Sequence, residues 1–160
     1  MDEPAPEGVD TERILPSGVR LLTGTRPAPA GQPGKHAVRF ELYVPQTAPP
    51  RPFFLILHGF AGHLGHLSAH ALRLAESAGC VVLNANLSSL LAGGSAQSRN
   101  IDGAVEHVLW ALSLRGRGGV PWVDPALVSL GGHSAGGAVA LEAAAALRRR
   151  GVVRHTLLNL

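Results

Sequence analysis

Gly132, Ser134 and Gly136 stand at the spacing Gly-x-Ser-x-Gly, with His133 beside the serine. A short apolar run, Val128-Ser129-Leu130, precedes them, and an alanine-rich run starts at Ala135. Strand, sharp turn, helix is the context that a nucleophilic serine requires. At such a turn the serine is held strained at the tip of a strand with its hydroxyl exposed. Gly132 and Gly136 are needed because side chains there would crowd the neighbouring backbone. Ala135 then offers its N–H at a helix N-terminus, where developing negative charge is stabilised. The chemistry that suits this pattern is attack on a carbonyl carbon. The competing reading is a chance match in a chain with 20 glycines. The strand and helix patterns on either side argue against it.

The elements that must position this serine are legible as alternating patterns. Residues 1–18 read as a solvated leader, and Val19 to Thr23 as a first short strand. A Pro/Gly-rich loop covers Thr25 to Lys35. Ala37 to Val44 alternates apolar and polar, which predicts a half-buried, antiparallel strand. Phe53 to Leu57 is continuously apolar, as a central parallel strand covered on both faces would be. It runs into His58-Gly59-Phe60-Ala61-Gly62. A helix is predicted over Leu67 to Ala78, stopped by Gly79, and a second buried strand over Cys80 to Asn84. Asn86 to Arg99 reads as a loop, and Asn100 to Leu114 as an amphipathic helix capped by Asn100. The serine's own strand is predicted over Leu127 to Leu130 and its helix over Ala135 to Arg150. Arg148, Arg149 and Arg150 then lie where cations suit the helix dipole. His155 to Leu160 begins another strand. The alternation predicts an α/β fold with a mostly parallel, doubly wound sheet. We divide the chain into a leader, 1–36, and an α/β domain, 37–160.

The bulk composition narrows the function classes. The chain has 160 residues, 46% of them hydrophobic and 16% charged, which suits one buried core. No apolar run approaches the roughly 18 residues that span a bilayer. Met1-Asp2-Glu3-Pro4 lacks the basic start and apolar stretch of a secretory signal, and Cys80 is the only cysteine. A reducing compartment, cytosol or organelle, is the expectation, with Cys80 a buried structural thiol. The net charge is +3, yet residues 1–12 carry five acids and no base, so the remainder is basic. Its arginines are scattered with few aromatics among them, which argues against nucleic-acid binding.

Three stretches carry a resemblance: Leu55 to Gly62, Leu74 to Val82, and Val123 to Gly137. Together they are similar to the N-terminal part of an α/β-hydrolase serine esterase, in the branch of the chlorophyllases, cutinase-like polyester hydrolases and dienelactone hydrolases. Val123-Asp124-Pro125 shortly before Gly-His-Ser-x-Gly-Gly is the most specific piece. The resemblance implies an α/β-hydrolase fold, a carboxylic ester as substrate, small or polymeric, and no cofactor. It implies Ser134 as nucleophile. It implies an oxyanion hole from the N–H groups of Phe60 and Ala135, with His58, Gly59, Gly132, His133 and Gly136 in support. One departure is Asn84-Ala85-Asn86, where members of the family usually carry an aspartate.

The second departure concerns the rest of the triad. In this fold the acid and the histidine follow the serine on later strands. The sequence has 26 residues after Ser134, so the expectation is a fragment or truncated gene model lacking both. Asp124 and His155 begin their strands and would lie at the wrong edge. Glu106 and His107 belong on a helix packed against the sheet. His63, His66 and His70 lie nearest the right edge, as a base or as metal ligands. No acid or cysteine joins them, so exposed polar residues, and no metal site, is the expectation. An apolar last strand at the sheet edge predicts self-association. The alternative function is a non-catalytic α/β-hydrolase-like protein with a binding or scaffold role.

Overall fold

The computed structural model describes residues 5–26, 38–87, 94–152 and 158–159. Seven strands form one sheet: β1 (Val9–Ile14), β2 (Arg20–Arg26), β3 (Val38–Val44), β4 (Arg51–Leu57), β5 (Val81–Ala85), β6 (Val123–Gly132) and β7 (Leu158–Asn159). Three helices lie among them: α1 (Ser68–Ala78), α2 (Gly94–Ser113) and α3 (Ala135–Arg149). The strand order is β1-β2-β3-β5-β4-β6-β7. The four strands β5, β4, β6 and β7 run parallel, while β1, β2 and β3 add an antiparallel wing. His155 lies outside the described residues.

The two faces of the sheet follow from side-chain alternation. On β4, Phe53, Leu55 and Leu57 point to the face covered by α2 and α3. Ile56, flanked by Phe54, points to the face covered by α1. The continuous apolar run of this strand is therefore the signature of burial on both sides. The larger core gathers Leu22, Phe40, Leu42, Leu83 and Leu130 under Val108, Val139 and Leu147. Small residues of α3 (Ala140, Ala143, Gly136 and Gly137) are buried, which lets the helix lie close to the sheet.

This topology creates a crevice. The chain leaving β4 passes to α1 on one face, and the chain leaving β6 passes to α3 on the other. β4 and β6 are neighbours, so their exits diverge at the carboxyl edge. Such a switch point is where open α/β sheets place their ligands.

Three expectations need correction. The leader contains β1, which pairs with β2 although its residues are mostly exposed. Polar cross-strand pairs hold it, Thr11 with Thr23 at 2.6 Å and Glu12 with Arg20, so no apolar alternation marks it. α2 starts at Gly94, so Asn100 is a buried residue inside the helix and not its cap. β6 starts at Val123, four residues before the predicted strand, because Val123 already pairs with Arg51 of β4, ahead of an irregularity after which pairing resumes at Phe53 and Val128. Gly79 and Gly151 close α1 and α3 in left-handed conformations, at φ 61° and 65°. Cys80 is buried, which pushes its thiol pKa up. Among the described residues no helix is long and apolar enough to cross a membrane.

His107 of α2 is fully enclosed and accepts a hydrogen bond from Arg26 Nε at 3.0 Å. Arg26 also contacts Glu106 at 3.3 Å. Burial, with the neighbouring guanidinium, pushes the His107 pKa down to about 3. The unfolded chain gains that proton near pH 6.5 and the folded chain does not. Stability therefore falls as pH drops from about 6.5 toward 3. Urea midpoints of the wild type are expected to show a component of up to about 1.4 kcal/mol per pH unit that His107→Gln lacks. Parallel pH profiles would contradict this.

Candidate active site

Ser134 is the second of the two residues between β6 and α3, with φ 54° and ψ −122°. A non-glycine residue there costs about 1–3 kcal/mol and persists only where the surroundings dictate it. The surroundings are backbone hydrogen bonds. His133 N–H donates to the Leu57 carbonyl at 3.0 Å, Gly136 N–H to that of His133 at 3.0 Å, and Gly137 N–H to that of Ser134 at 2.9 Å. The Ser134 side chain makes no cap hydrogen bond, and the residue is exposed.

The glycines are required by contact. A Cβ on Gly132 would stand 2.5 Å from the Leu57 oxygen and 2.6 Å from the Gly136 carbonyl carbon. One on Gly136 would overlap the carbonyl oxygens of Leu57 and His58. The end of β4 and the start of α3 thus touch backbone to backbone. A Cβ on Gly59 would lie 3.0 Å from both the Nδ1 and the carbonyl oxygen of His133, and 3.1 Å from Ser134 Cβ. The loop after β4 is therefore seated directly against the serine.

That loop turns tightly. Gly62 N–H donates to the Gly59 carbonyl at 3.0 Å, and Ala61 adopts φ 53°. Phe60, at the turn, is 59% exposed. His58 is buried and both its ring nitrogens are engaged. Nδ1 lies 2.8 Å from the Gly59 carbonyl, and Nε2 accepts from Leu87 N–H at 3.0 Å. The second contact makes Nε2 the acceptor, so Nδ1 carries the proton. His58 thus ties the loop after β4 to the segment after β5.

The structure brings Ser134, Gly132, His133, Gly136, His58 and Gly59 together, with Ala135 following the serine and Phe60 following Gly59 in the chain. Ala135 is the first residue of α3, so its N–H is one of the donors a helix start leaves unused. Among the described residues no histidine or carboxylate hydrogen-bonds the Ser134 hydroxyl. Asp124 follows Val123, which pairs with Arg51 six residues before Leu57 and its partner Gly132, so it lies roughly 20 Å down the sheet, and it accepts from Ala126 N–H at 2.8 Å. Glu106 and His107 are committed to Arg26. His63 accepts from Gly65 N–H, and its ring lies 4.0 Å from that of His66. His63, His66 and His70 are exposed. Among the described residues no three His, Cys, Asp or Glu side chains gather as metal ligands.

Sequence reasoning noted one polar group without finding its partners. Asn84 is fully buried on β5, and its amide donates to Glu41 Oε2 at 2.8 Å and to the Leu64 carbonyl at 2.9 Å. Asn86 Oδ1 accepts from Leu64 N–H at 3.1 Å. The available signal was an amide directly after the apolar run Val81-Val82-Leu83 of a buried strand, since a buried polar group requires partners.

Solved structures share this fold. An esterase of Pyrobaculum calidifontis superposes with a TM-score of 0.67 at 24% identity, over 86% of this chain and 43% of its own. A bacterial heroin esterase gives 0.59 at 24% identity, over 88% of this chain and 44% of its own. The fold is that of the α/β-hydrolases. A thermophilic carboxylesterase cloned from a metagenomic library gives 0.59 at 19% identity, over 99% of this chain and 48% of its own. The chain thus spans less than half the length of these α/β-hydrolase structures. No protein-family model matches the sequence, and no curated protein matches it either.

The strain at Ser134 is measurable. Glycine tolerates positive φ, so Ser134→Gly is expected to be about 1 kcal/mol more stable than Ser134→Ala in urea unfolding. A glycine variant no more stable than the alanine variant would contradict the strained corner.

Proposed function

We propose that this chain carries the nucleophile and oxyanion hole of a serine hydrolase acting on carboxylic esters. The observation that carries the reading is the strained corner at Ser134, pressed against the Gly59 backbone. A residue is held at such a φ, between glycines whose Cβ atoms would collide, when its hydroxyl must be presented to a reacting group. Ser134 Oγ attacks the ester carbonyl and its proton passes to a base. The oxyanion is held by the N–H groups of Phe60 and Ala135. The alcohol then leaves and water releases the acyl group. Removing one oxyanion donor from such a site costs roughly 3–4 kcal/mol. His58, Gly59, Gly132, His133 and Gly136 support the corner and the loop.

The exposed Phe60, on the loop whose Gly59 meets Ser134, favours an ester flanked by apolar groups, small or polymeric. The likeness of Val123-Asp124-Pro125 and the serine motif to the chlorophyllase, cutinase-like and dienelactone hydrolase branch supports the same substrate class. The esterase titles of the structural neighbours agree at the level of ester chemistry. A working triad needs a base and an acid besides Ser134. The second reading, a non-catalytic protein of this fold, is favoured by one observation: no such pair is bonded to Ser134 among the described residues.

A fluorophosphonate probe separates the two. Labelling that maps to Ser134 and disappears in Ser134→Ala is expected for an activated serine. Failure of the native chain to label above its heat-denatured form supports the non-catalytic reading.

A further inference from the structure

The loop that bears Phe60 is held at two points, and both holds come from the end of β5. His58, at the loop's start, bonds Leu87 N–H. Leu64, six residues on, is gripped through both backbone groups: its N–H by Asn86 and its carbonyl by Asn84. Asn86 N–H is itself bonded to the Arg39 carbonyl of β3 at 3.1 Å, so the gripping segment is anchored in the sheet.

Asn84 grips Leu64 with an amide, and an amide can turn over. Its orientation is set by Glu41, its cross-strand partner on β3. Glu41 Oε2 lies 2.8 Å from Asn84 Nδ2, 2.7 Å from Ser68 Oγ and 2.9 Å from the Tyr43 hydroxyl. With the amide reversed, Asn84 Oδ1 would face a carboxylate and a carbonyl, two acceptors with no proton between them. Ser68 opens α1 and lies 3.1 Å from the same Leu64 carbonyl, so the carboxylate also anchors the helix that follows the loop. The arrangement has a cost. Asn84 Oδ1 is buried and finds no donor among the described residues, worth about 1–3 kcal/mol. A leucine would fill this place more cheaply. What the amide supplies is two directed donors, one for Glu41 and one for the loop.

We propose that Glu41 is a positioning residue for the oxyanion loop, acting through Asn84 and Ser68 on Leu64 to set where the Phe60 amide stands. The proposal rests on the reading of Ser134 as an acyl-transfer nucleophile. It assigns Asn84 and Asn86 to the same clamp.

The test compares Glu41→Leu and Glu41→Gln with the wild-type chain. Glutamine keeps an acceptor oxygen for the three donors, and leucine keeps none. Deuterium exchange of the peptide over 58–66 is expected to quicken about tenfold or more in Glu41→Leu, with the peptide over 130–140 unchanged. Glu41→Gln is expected to restore near wild-type exchange. Phosphonylation of Ser134 in Glu41→Leu is expected to slow about tenfold to a hundredfold in its limiting rate, with probe affinity within about twofold. Unchanged exchange over 58–66, or an equal rise over both peptides, overturns the clamp. If Glu41→Leu does not fold, Asn86→Ala at a partly exposed position releases the other grip on Leu64. It is expected to give the same localised exchange, and no change there overturns the proposal. A wild type that exchanges as expected but never labels sinks the acyl-transfer reading and leaves the clamp standing. A wild type that labels while Glu41→Leu exchanges normally does the reverse.

Discussion

The Leu57 carbonyl accepts the His133 N–H at 3.0 Å and lies where a Cβ on Gly132 or Gly136 would have to be. One carbonyl group thus fixes the end of β4, the end of β6 and the start of α3 relative to each other. The approach is possible because both glycines lack side chains and because β4 and β6 are paired neighbours. Ser134 cannot relax into the helix without pulling this contact apart. The positive φ is therefore a consequence of strand pairing, and the exposed hydroxyl is a consequence of the φ.

From that contact outward, polar groups divide the remaining work. His58 uses both ring nitrogens to join the exits of β4 and β5. Asn84, Asn86 and Glu41 extend the same junction beneath the loop. The other buried polar cluster, Arg26 with His107 and Glu106, ties β2 to α2 and stays apart from the serine. Charge on this molecule is therefore placed to hold elements together. The only strained non-glycine residues among those described, Ala61 and Ser134, lie on the two facing turns of the crevice.

The parts legible in the sequence are those written in apolar patterning and glycine spacing. Phe53 to Leu57 reads as a doubly covered strand because both of its faces are apolar, and it is one. Gly-x-Ser-x-Gly reads as a corner because those glycines meet backbone. What escaped is held by polar pairs that leave no period. β1 is secured by Thr11 with Thr23 and Glu12 with Arg20, which resemble a solvated leader in one dimension. The early turns of α2 hide in a stretch rich in Ser and Gly, where Asn100 looked like a cap. The role of Asn84 was hidden because its partners Glu41 and Leu64 are distant from it in sequence.

A high-resolution crystal structure of the chain tests the central claim most directly. The account expects Ser134 at positive φ near 54°, its Cβ packed against the Gly59 backbone, with Leu57 carbonyl to His133 N–H intact. Ser134 found at helical φ and ψ, or drawn away from the loop after β4, would contradict it.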